Sequence, residues 1–175
     1  MKNIKAREIT NKVCELAIRA NVSLRKDVLA ALRKALRAEK NPLAKKIINI
    51  LIENADIAER KKMPICQDTG IAVVFCEIGQ NLHIEGDINK AINEGIKRGY
   101  KRGFLRKSVV SDPLLRKNRM TNTPAIIHYD FVKGDNIKLT VLPKGFGSEN
   151  ASRTIMLRPT DGEKEIIDFA VKTVK

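Results

Sequence analysis

Aromatic residues are scarce in this sequence, and long apolar runs are missing from it. The 175 residues include no tryptophan, and aromatic residues make up 4% of the chain. The core must therefore consist mainly of aliphatic side chains, and a chain of this length buries enough surface to fold without disulfides. The longest apolar run, residues 71–76, is too short to cross a bilayer, and the N-terminus lacks the apolar core of a signal peptide. We expect a cytoplasmic chain that does not associate with membranes.

Cysteine is also rare, and the three cysteines differ in their surroundings. An odd number of cysteines is typical of free thiols in a reducing compartment. Cys14 lies on the apolar side of a predicted helix and Cys76 ends a predicted strand, so we interpret both as core residues. The spacing from Cys66 to Cys76 matches no metal-binding pattern. Cys66 itself adjoins the polar residues Gln67 and Asp68, which is unusual for a core thiol.

Acidic residues are few relative to basic ones. Lysine and arginine total 34 against 20 aspartate and glutamate residues, which gives a net charge of +14. Such an excess attracts anions, including nucleic acids, acidic subunits and small polycarboxylates. A basic nucleic-acid-binding module is one hypothesis and a non-catalytic assembly subunit is another. Aromatic residues for base stacking are few and no nucleic-acid-binding motif is present, so we expect no nucleic-acid partner.

Helical periodicity dominates the first sixty residues, where apolar residues recur at helical spacing in three segments. Ser23 is the predicted N-cap of the second helix. Asn41 followed by Pro42 predicts the start of the third helix, because proline suits the first helical position. This third helix is expected to bury the stripe Leu43, Ile47, Ile48, Leu51, Ile52 and Ala55.

Strand-like patterns appear later in the chain. The β-branched run at residues 71–76 predicts a strand, and Asp87 predicts the N-cap of a helix that Gly99 and Gly103 should interrupt. Two strand-like runs flank the polar residues 133–136, which predicts an antiparallel hairpin. A last helix with an inward apolar stripe is predicted from about Gly162.

The order of these elements predicts the fold class. Helices come first, and strands follow without regular alternation, which favours an α+β fold. We expect N-terminal helices packed on a small mixed or antiparallel sheet, with further helices. The expected organisation is one domain over residues 1–175, and the alternative is a helical lobe at 1–62 followed by a mixed lobe at 63–175.

Three loop segments combine glycine with chemically active side chains. Residues 66–70 precede a predicted strand, Arg106 lies in a long basic stretch, and residues 144–148 follow a later strand. A thiolate is a soft metal ligand, a carboxylate transfers protons, and arginine binds carboxylates through two parallel hydrogen bonds. Together these groups predict metal-assisted chemistry on a small carboxylic acid. Alternatives remain at this point: Cys66 as a buried apolar residue, Asp68 as part of a simple turn, and Gly145 and Gly147 as turn residues.

Three ordered motifs carry a family resemblance. "PICQDTG", "NTPA" and "KGFGSEN" resemble the α-subunit, or N-terminal half, of class I fumarate hydratases, a family that includes L-tartrate dehydratase. The resemblance implies a [4Fe–4S] hydro-lyase that reversibly hydrates fumarate to L-malate, with one iron as Lewis acid. The alternative that it implies is an L-tartrate dehydratase subunit.

The resemblance also implies roles for individual residues. Cys66 matches the first cysteine ligand of the cluster, and Gln67 and Asp68 match residues that face the substrate. Asp68 matches the proton donor or acceptor. Arg106 matches a substrate-binding arginine, and Gly147 matches a glycine whose backbone lines the site. Phe146 stands where the family often has a middle glycine.

The sequence departs from the family in its cysteine content. The family has two further cluster cysteines downstream, and no counterparts occur here. We therefore expect this chain to be the N-terminal part of the α-subunit, with the family pattern continuing beyond it. The resemblance also implies a β-subunit that supplies further substrate-binding residues, an oligomeric enzyme, and no stable cluster on this chain alone.

Overall fold

The computed structural model describes residues 2–175, except for the side chain of Ser148. It contains two compact units, Met1–Lys144 and Gly145–Lys175. Helices and two small sheets are both present, so the predicted α+β class is confirmed. The choice between one domain and lobes divided at residue 62 stays a prediction. None of the helices over residues 2–175 is both long and apolar enough to span a membrane.

The elements of the first unit are β1 (Lys2–Lys5), α1 (Ala6–Val22), α2 (Lys26–Ala38), α3 (Pro42–Lys61), β2 (Ile71–Gly79), β3 (Leu82–Glu85), α4 (Ile88–Arg102), β4 (Ile126–Val132) and β5 (Ile137–Lys144).

The main sheet is mixed and has β2 as its central strand. Its order is β4–β2–β5, with β4 parallel and β5 antiparallel to β2. Helices α1 and α4 supply the core on one face of this sheet, where aliphatic side chains dominate, as the shortage of aromatic residues predicts. A second, parallel pair joins β1 to β3.

The predicted hairpin at residues 133–136 is wrong in its pairing. β4 and β5 run in opposite directions, but β2 lies between them and pairs with both. The connecting loop crosses the end of β2, where the Gly79 N–H donates to the Asn136 carbonyl oxygen and the Asn81 N–H to that of Gly134. A Cβ on Gly79 would lie 2.6 Å from the Gly134 oxygen, so the crossing requires glycine there.

Helix α4 continues through the glycine that was expected to interrupt it. Asp87 caps its start, since the carboxylate accepts the Lys90 N–H at 2.9 Å. Gly95 and Gly99 face α1, and a Cβ on Gly95 would lie 2.7 Å from both the Thr10 carbonyl oxygen and the Val13 Cβ. These glycines therefore allow α1 and α4 to approach closely. The helix ends at Arg102, with Gly103 as its C-cap.

Helices α2 and α3 contact each other and differ from prediction in two respects. Arg25 is the N-cap of α2, whereas Ser23 is the C-cap of α1, so the predicted cap is wrong. Asn41 caps α3 as predicted, accepting the N–H groups of Leu43 and Ala44. Of the stripe expected to be buried on α3, only Ala55 is buried, and Leu43, Ile47 and Leu51 are exposed. Periodicity predicted the helix correctly but not which side is covered.

The second unit contains the short 3₁₀ helix Gly147–Ala151 and α5 (Glu163–Val174). The predicted start of the last helix near Gly162 is confirmed, because Gly162 is its N-cap. The expected inward stripe is wrong, since Ile166, Ile167, Val171 and Val174 are exposed.

We predict that Gly95→Ala destabilises the chain although alanine is the better helix former. The new methyl group would overlap the Thr10 carbonyl and Val13, and such overpacking costs about 1–3 kcal/mol, against a propensity gain of about 1 kcal/mol. Chemical denaturation should therefore show a lower unfolding midpoint. Lys101→Ala, at an exposed position of the same helix, is the control and should leave the midpoint unchanged. An unchanged or raised midpoint for Gly95→Ala would contradict the close approach of α1 and α4.

Candidate active site

The segment with Cys66 connects the end of α3 to the start of β2. Helix α3 ends at Lys62, which adopts a left-handed conformation. Ile65 is then held on both sides of its backbone: its N–H donates to the Asn21 carbonyl oxygen at 2.9 Å, and its carbonyl oxygen accepts from the Asn54 side chain at 2.9 Å. The residue that precedes Cys66 is therefore fixed to both α1 and α3.

Cys66 is the exposed cysteine, whereas Cys14 and Cys76 are buried. The core interpretation of Cys14 and Cys76 is therefore confirmed. The Cys66 sulfur accepts the Asp68 backbone N–H at 3.4 Å. N–H groups that donate to cysteine sulfurs are among the features by which proteins tune iron–sulfur clusters. In contrast, burial raises the pKa of the Cys76 thiol to about 11, so this group stays protonated at neutral pH.

Gln67 and Asp68 follow on the same turn. Gln67 is exposed and Asp68 is half-buried. Burial, and also the nearby negative charge of Asp68, raise the pKa of the Tyr100 hydroxyl to about 12. Tyr100 therefore remains a protonated hydrogen-bond donor at neutral pH, and Asp68 lies close enough to influence it.

The other end of the segment is anchored by buried polar side chains. The Tyr100 hydroxyl donates to the Thr69 carbonyl oxygen at 2.6 Å. The Asn122 amide donates to the Gly70 carbonyl oxygen at 2.9 Å. Gly70 has a positive φ of 62°, a backbone conformation that glycine adopts without strain. Cys66 and Gln67 are thus exposed, and Asp68 is half-buried, on a segment whose two ends are fixed.

The backbone of Arg106 lies next to the segment that carries Cys66. The Thr69 hydroxyl donates to the Arg106 carbonyl oxygen at 2.7 Å. The preceding Leu105 is buried, and its N–H donates to the Tyr100 carbonyl oxygen at 3.0 Å. The Arg106 side chain is exposed, so it extends from a fixed backbone position into solvent. The structure therefore brings Arg106 into the neighbourhood of residues 66–69, which are distant in sequence.

The remaining predicted site residue, Gly147, belongs to the second unit. It begins the 3₁₀ helix there and is exposed. Lys144 and Gly145 lie at the boundary of the two units. The role assigned to Gly147 by resemblance stays a prediction.

The described residues do not form a complete metal site by themselves. Over residues 2–175, no group of three or more His, Cys, Asp and Glu side chains is arranged to hold a metal ion. Cys66 suits a soft metal because its sulfur is exposed and receives an N–H bond. The other two thiols are buried, so the described part of the chain offers a cluster one cysteine ligand.

Sequence reasoning missed the residues that hold the site in place. Thr69 and Asn122 were noted only as letters of two motifs, and Tyr100 was not singled out. Tyr100 follows Ile92 and Ile96 at intervals of four residues, which predicts a core position but not the hydrogen bonds of its hydroxyl. The signal available was its polarity: a buried tyrosine requires a partner for its hydroxyl.

The sequence of this chain is similar to a protein-family model and to several known hydro-lyases. A family model described as "Fumarate hydratase (Fumerase)" matches residues 10–175. A putative L(+)-tartrate dehydratase subunit alpha from Methanocaldococcus jannaschii is 38% identical over 174 residues, which cover 95% of this chain and 61% of that protein. The aerobic class I fumarate hydratase of Salmonella typhimurium is 36% identical over 101 residues, covering 57% of this chain and 17% of that enzyme.

A further relative is more distant but is matched over nearly the whole chain. The L(+)-tartrate dehydratase subunit alpha of Escherichia coli is 23% identical over 181 residues, covering 99% of this chain. The chain spans about 60% of the length of the two tartrate dehydratase subunits. The family model covers nearly all of the present sequence and includes every residue of the site described above. This chain therefore belongs to the fumarate hydratase family.

Proposed function

We propose that this chain is part of a hydro-lyase that reversibly hydrates fumarate to L-malate, and that residues 66–68 and Arg106 contribute to its active site. The observation that carries the proposal is the hydrogen bond from the Thr69 hydroxyl to the Arg106 carbonyl oxygen. It joins a segment bearing an exposed thiol and a carboxylate to one bearing an exposed guanidinium. This combination of groups suits a small anionic substrate.

Arg106 is assigned to substrate binding. Fumarate is a dianion, and a guanidinium binds a carboxylate through two parallel N–H···O bonds. Gln67, which is exposed on the adjacent segment, is assigned a second polar contact to the substrate. Holding the dianion at two points removes much of the entropic cost of aligning it with the proton-transferring group. The net charge of +14 favours the approach of such a substrate.

Asp68 is assigned to proton transfer. Hydration of a carbon–carbon double bond requires a proton at one carbon, and dehydration requires its removal. A carboxylate next to the substrate can perform both steps. Asp68 is half-buried, and its backbone N–H is bound to the Cys66 sulfur, so its backbone position is tied to that of the thiol.

Cys66 is assigned as one thiolate ligand of a [4Fe–4S] cluster. Because the described residues offer the cluster this single exposed cysteine, its other ligands must lie outside them. The relatives named subunit alpha support a further subunit in the assembled enzyme. We assign additional substrate contacts to that β-subunit, and the role that the resemblance gives to Gly147 stays a prediction.

Dehydration of L-tartrate is the second candidate function. The relative from Methanocaldococcus jannaschii, 38% identical, and the E. coli relative matched over 99% of the chain are both named as tartrate dehydratase subunits. Tartrate carries one hydroxyl more than malate, so the groups that receive this hydroxyl decide the specificity. Comparing kcat/KM for L-malate and L(+)-tartrate in the assembled enzyme separates the two candidates.

We predict that one thiol per chain reacts rapidly with a disulfide reagent such as DTNB at pH 8. Cys66 is exposed, whereas Cys14 is buried and the raised pKa of Cys76, about 11, keeps that thiol protonated. The rapid phase should disappear in Cys66→Ser and persist in Cys14→Ala. In denaturant all three thiols should react. A rapid phase that survives Cys66→Ser would contradict the assignment of Cys66 as the available ligand.

We predict that Asp68→Asn and Arg106→Lys impair the assembled enzyme in different ways. Loss of a proton-transferring carboxylate should lower kcat by about 10²- to 10⁴-fold. Arg106→Lys keeps the charge but loses the two-point bond, so KM for the dicarboxylate should rise more than kcat falls. Steady-state hydration of fumarate, followed by the loss of its ultraviolet absorbance, measures both constants.

Matched controls for these two variants come from the same unit. Asp130→Asn changes an exposed aspartate on β4, and Arg119→Lys changes an exposed arginine in the same basic stretch as Arg106. Both should retain the parent kinetics. Parent kinetics in Asp68→Asn and Arg106→Lys would overturn the proposed roles and favour a non-catalytic assembly subunit.

A further inference from the structure

Three polar side chains are almost fully buried between the two segments of the proposed site. Thr69, Tyr100 and Asn122 are 1%, 1% and 0% exposed, although each carries hydrogen-bonding groups. Burying such groups costs free energy unless they are paired, whereas apolar residues of similar size would pack without that cost. The hydrogen-bond partners of these three side chains therefore indicate the role of the side chains.

Asn122 bridges the two segments directly. Its amide nitrogen donates to the Gly70 carbonyl oxygen at 2.9 Å. Its amide oxygen accepts the backbone N–H groups of Ser108 and Val109, at 2.8 and 3.2 Å. Asn122 itself has a positive φ of 57°, a conformation that asparagine tolerates better than most residues. One side chain thus connects the end of the Cys66 segment to the chain just after Arg106.

Tyr100 connects the same segments from helix α4. Its hydroxyl donates to the Thr69 carbonyl oxygen at 2.6 Å and approaches that of Gly70 at 3.3 Å. Its own carbonyl oxygen accepts the Leu105 N–H at 3.0 Å. The Tyr100 side chain therefore holds the segment with Cys66, and the Tyr100 backbone holds the segment with Arg106. Because α4 packs closely on α1, both attachments are made to a rigid element.

Thr69 joins the two segments through its own hydrogen bonds. Its hydroxyl donates to the Arg106 carbonyl oxygen at 2.7 Å, while its own carbonyl accepts from Tyr100. The bonds form a closed circuit that passes from Thr69 to Arg106, along the chain to Ser108, across Asn122 to Gly70, and back to Thr69. The circuit therefore includes Thr69, which directly follows Asp68, and the backbone of Arg106.

We propose that Tyr100, Asn122 and Thr69 are positioning residues, which hold residues 66–68 and Arg106 at a fixed separation so that both act on one substrate molecule. The inference rests on the proposed function for the identity of the reaction. The circuit accounts for the buried polar groups, since each of its bonds restricts the movement of one segment relative to the other. Displacements of about 1 Å are enough to slow an enzyme about 100-fold.

The first test uses the two tyrosines of the chain as a matched pair. Tyr100→Phe removes the hydroxyl that holds Thr69, whereas Tyr129→Phe removes a hydroxyl that donates to Asn89 at an exposed site. In the assembled enzyme, Tyr100→Phe should lower kcat/KM about 10- to 100-fold without lowering the amount of folded enzyme, and Tyr129→Phe should not. Parent kinetics in Tyr100→Phe would overturn the positioning role of Tyr100.

The second test varies the hydroxyl that reaches Arg106. Thr69→Val keeps the shape of the side chain and loses the donor, whereas Thr69→Ser keeps the donor. We expect KM for the dicarboxylate to rise at least about fivefold in Thr69→Val, because Arg106 loses its backbone anchor, and to return toward the parent value in Thr69→Ser. Equal KM values in the two variants would contradict the inference, since a role in packing alone depends on shape. This pair decides the matter if Tyr100→Phe does not fold.

Thiol labelling of the chain separates failure of this inference from failure of the proposed function. Asn122→Asp keeps the oxygen that accepts from residues 108 and 109 but places a carboxylate oxygen against the Gly70 carbonyl. The rate at which DTNB modifies Cys66 should change at least about threefold, with Cys14 and Cys76 still protected. An unchanged rate would overturn the role of Asn122. Altered labelling without any fumarate or tartrate activity in the parent enzyme would refute the proposed function and leave the link between the segments supported.

Discussion

The close packing of α4 on α1 is the contact on which the rest of the first unit depends. Gly95 and Gly99 bring the helices together at the level of Val13 and Ala17, where any larger residue would overlap the partner helix. This contact places Tyr100 in the core beneath the start of β2, where its hydroxyl reaches the Thr69 carbonyl. Without that approach, the hydroxyl would not reach the segment that carries Cys66. These glycines therefore help to determine, through Tyr100, where the segment with the candidate site residues lies.

The sheet shows which features local sequence predicts and which it does not. Strand β2 was predicted from its β-branched residues, and β4 and β5 from the two runs around residues 133–136. Their pairing was predicted wrongly because a short polar loop between two strands favours a hairpin in the absence of a competitor. Here β2 competes successfully, since its buried residues, such as Val74, pair with both neighbours. Pairing between strands more than fifty residues apart in sequence depends on tertiary contacts that no local pattern records.

In the candidate site, too, local sequence predicts some features and not others. Cys66, Gln67 and Asp68 were identified because their residue types are unusual before a strand. Arg106 was placed by resemblance, and its neighbourhood with Thr69 became visible only in the fold. Tyr100 was not identified because an aromatic residue in a helical stripe is typical of a core, and Gly99 before it was expected to interrupt the helix. Sequence thus predicts exposed chemical groups better than the buried hydrogen bonds that hold them.

The arrangement separates two requirements that conflict in a binding loop. A loop that offers side chains to a substrate must be exposed, yet exposed loops are mobile and lose entropy on binding. In this chain, residues 66–68 are accessible, but the residues on either side are fixed: Ile65 by Asn21 and Asn54, and Thr69 by Tyr100. The cost of ordering the loop is thus met during folding rather than during binding. For the proposed substrate, a small dianion that would make few contacts, such pre-organisation would lower the entropic cost of binding and alignment.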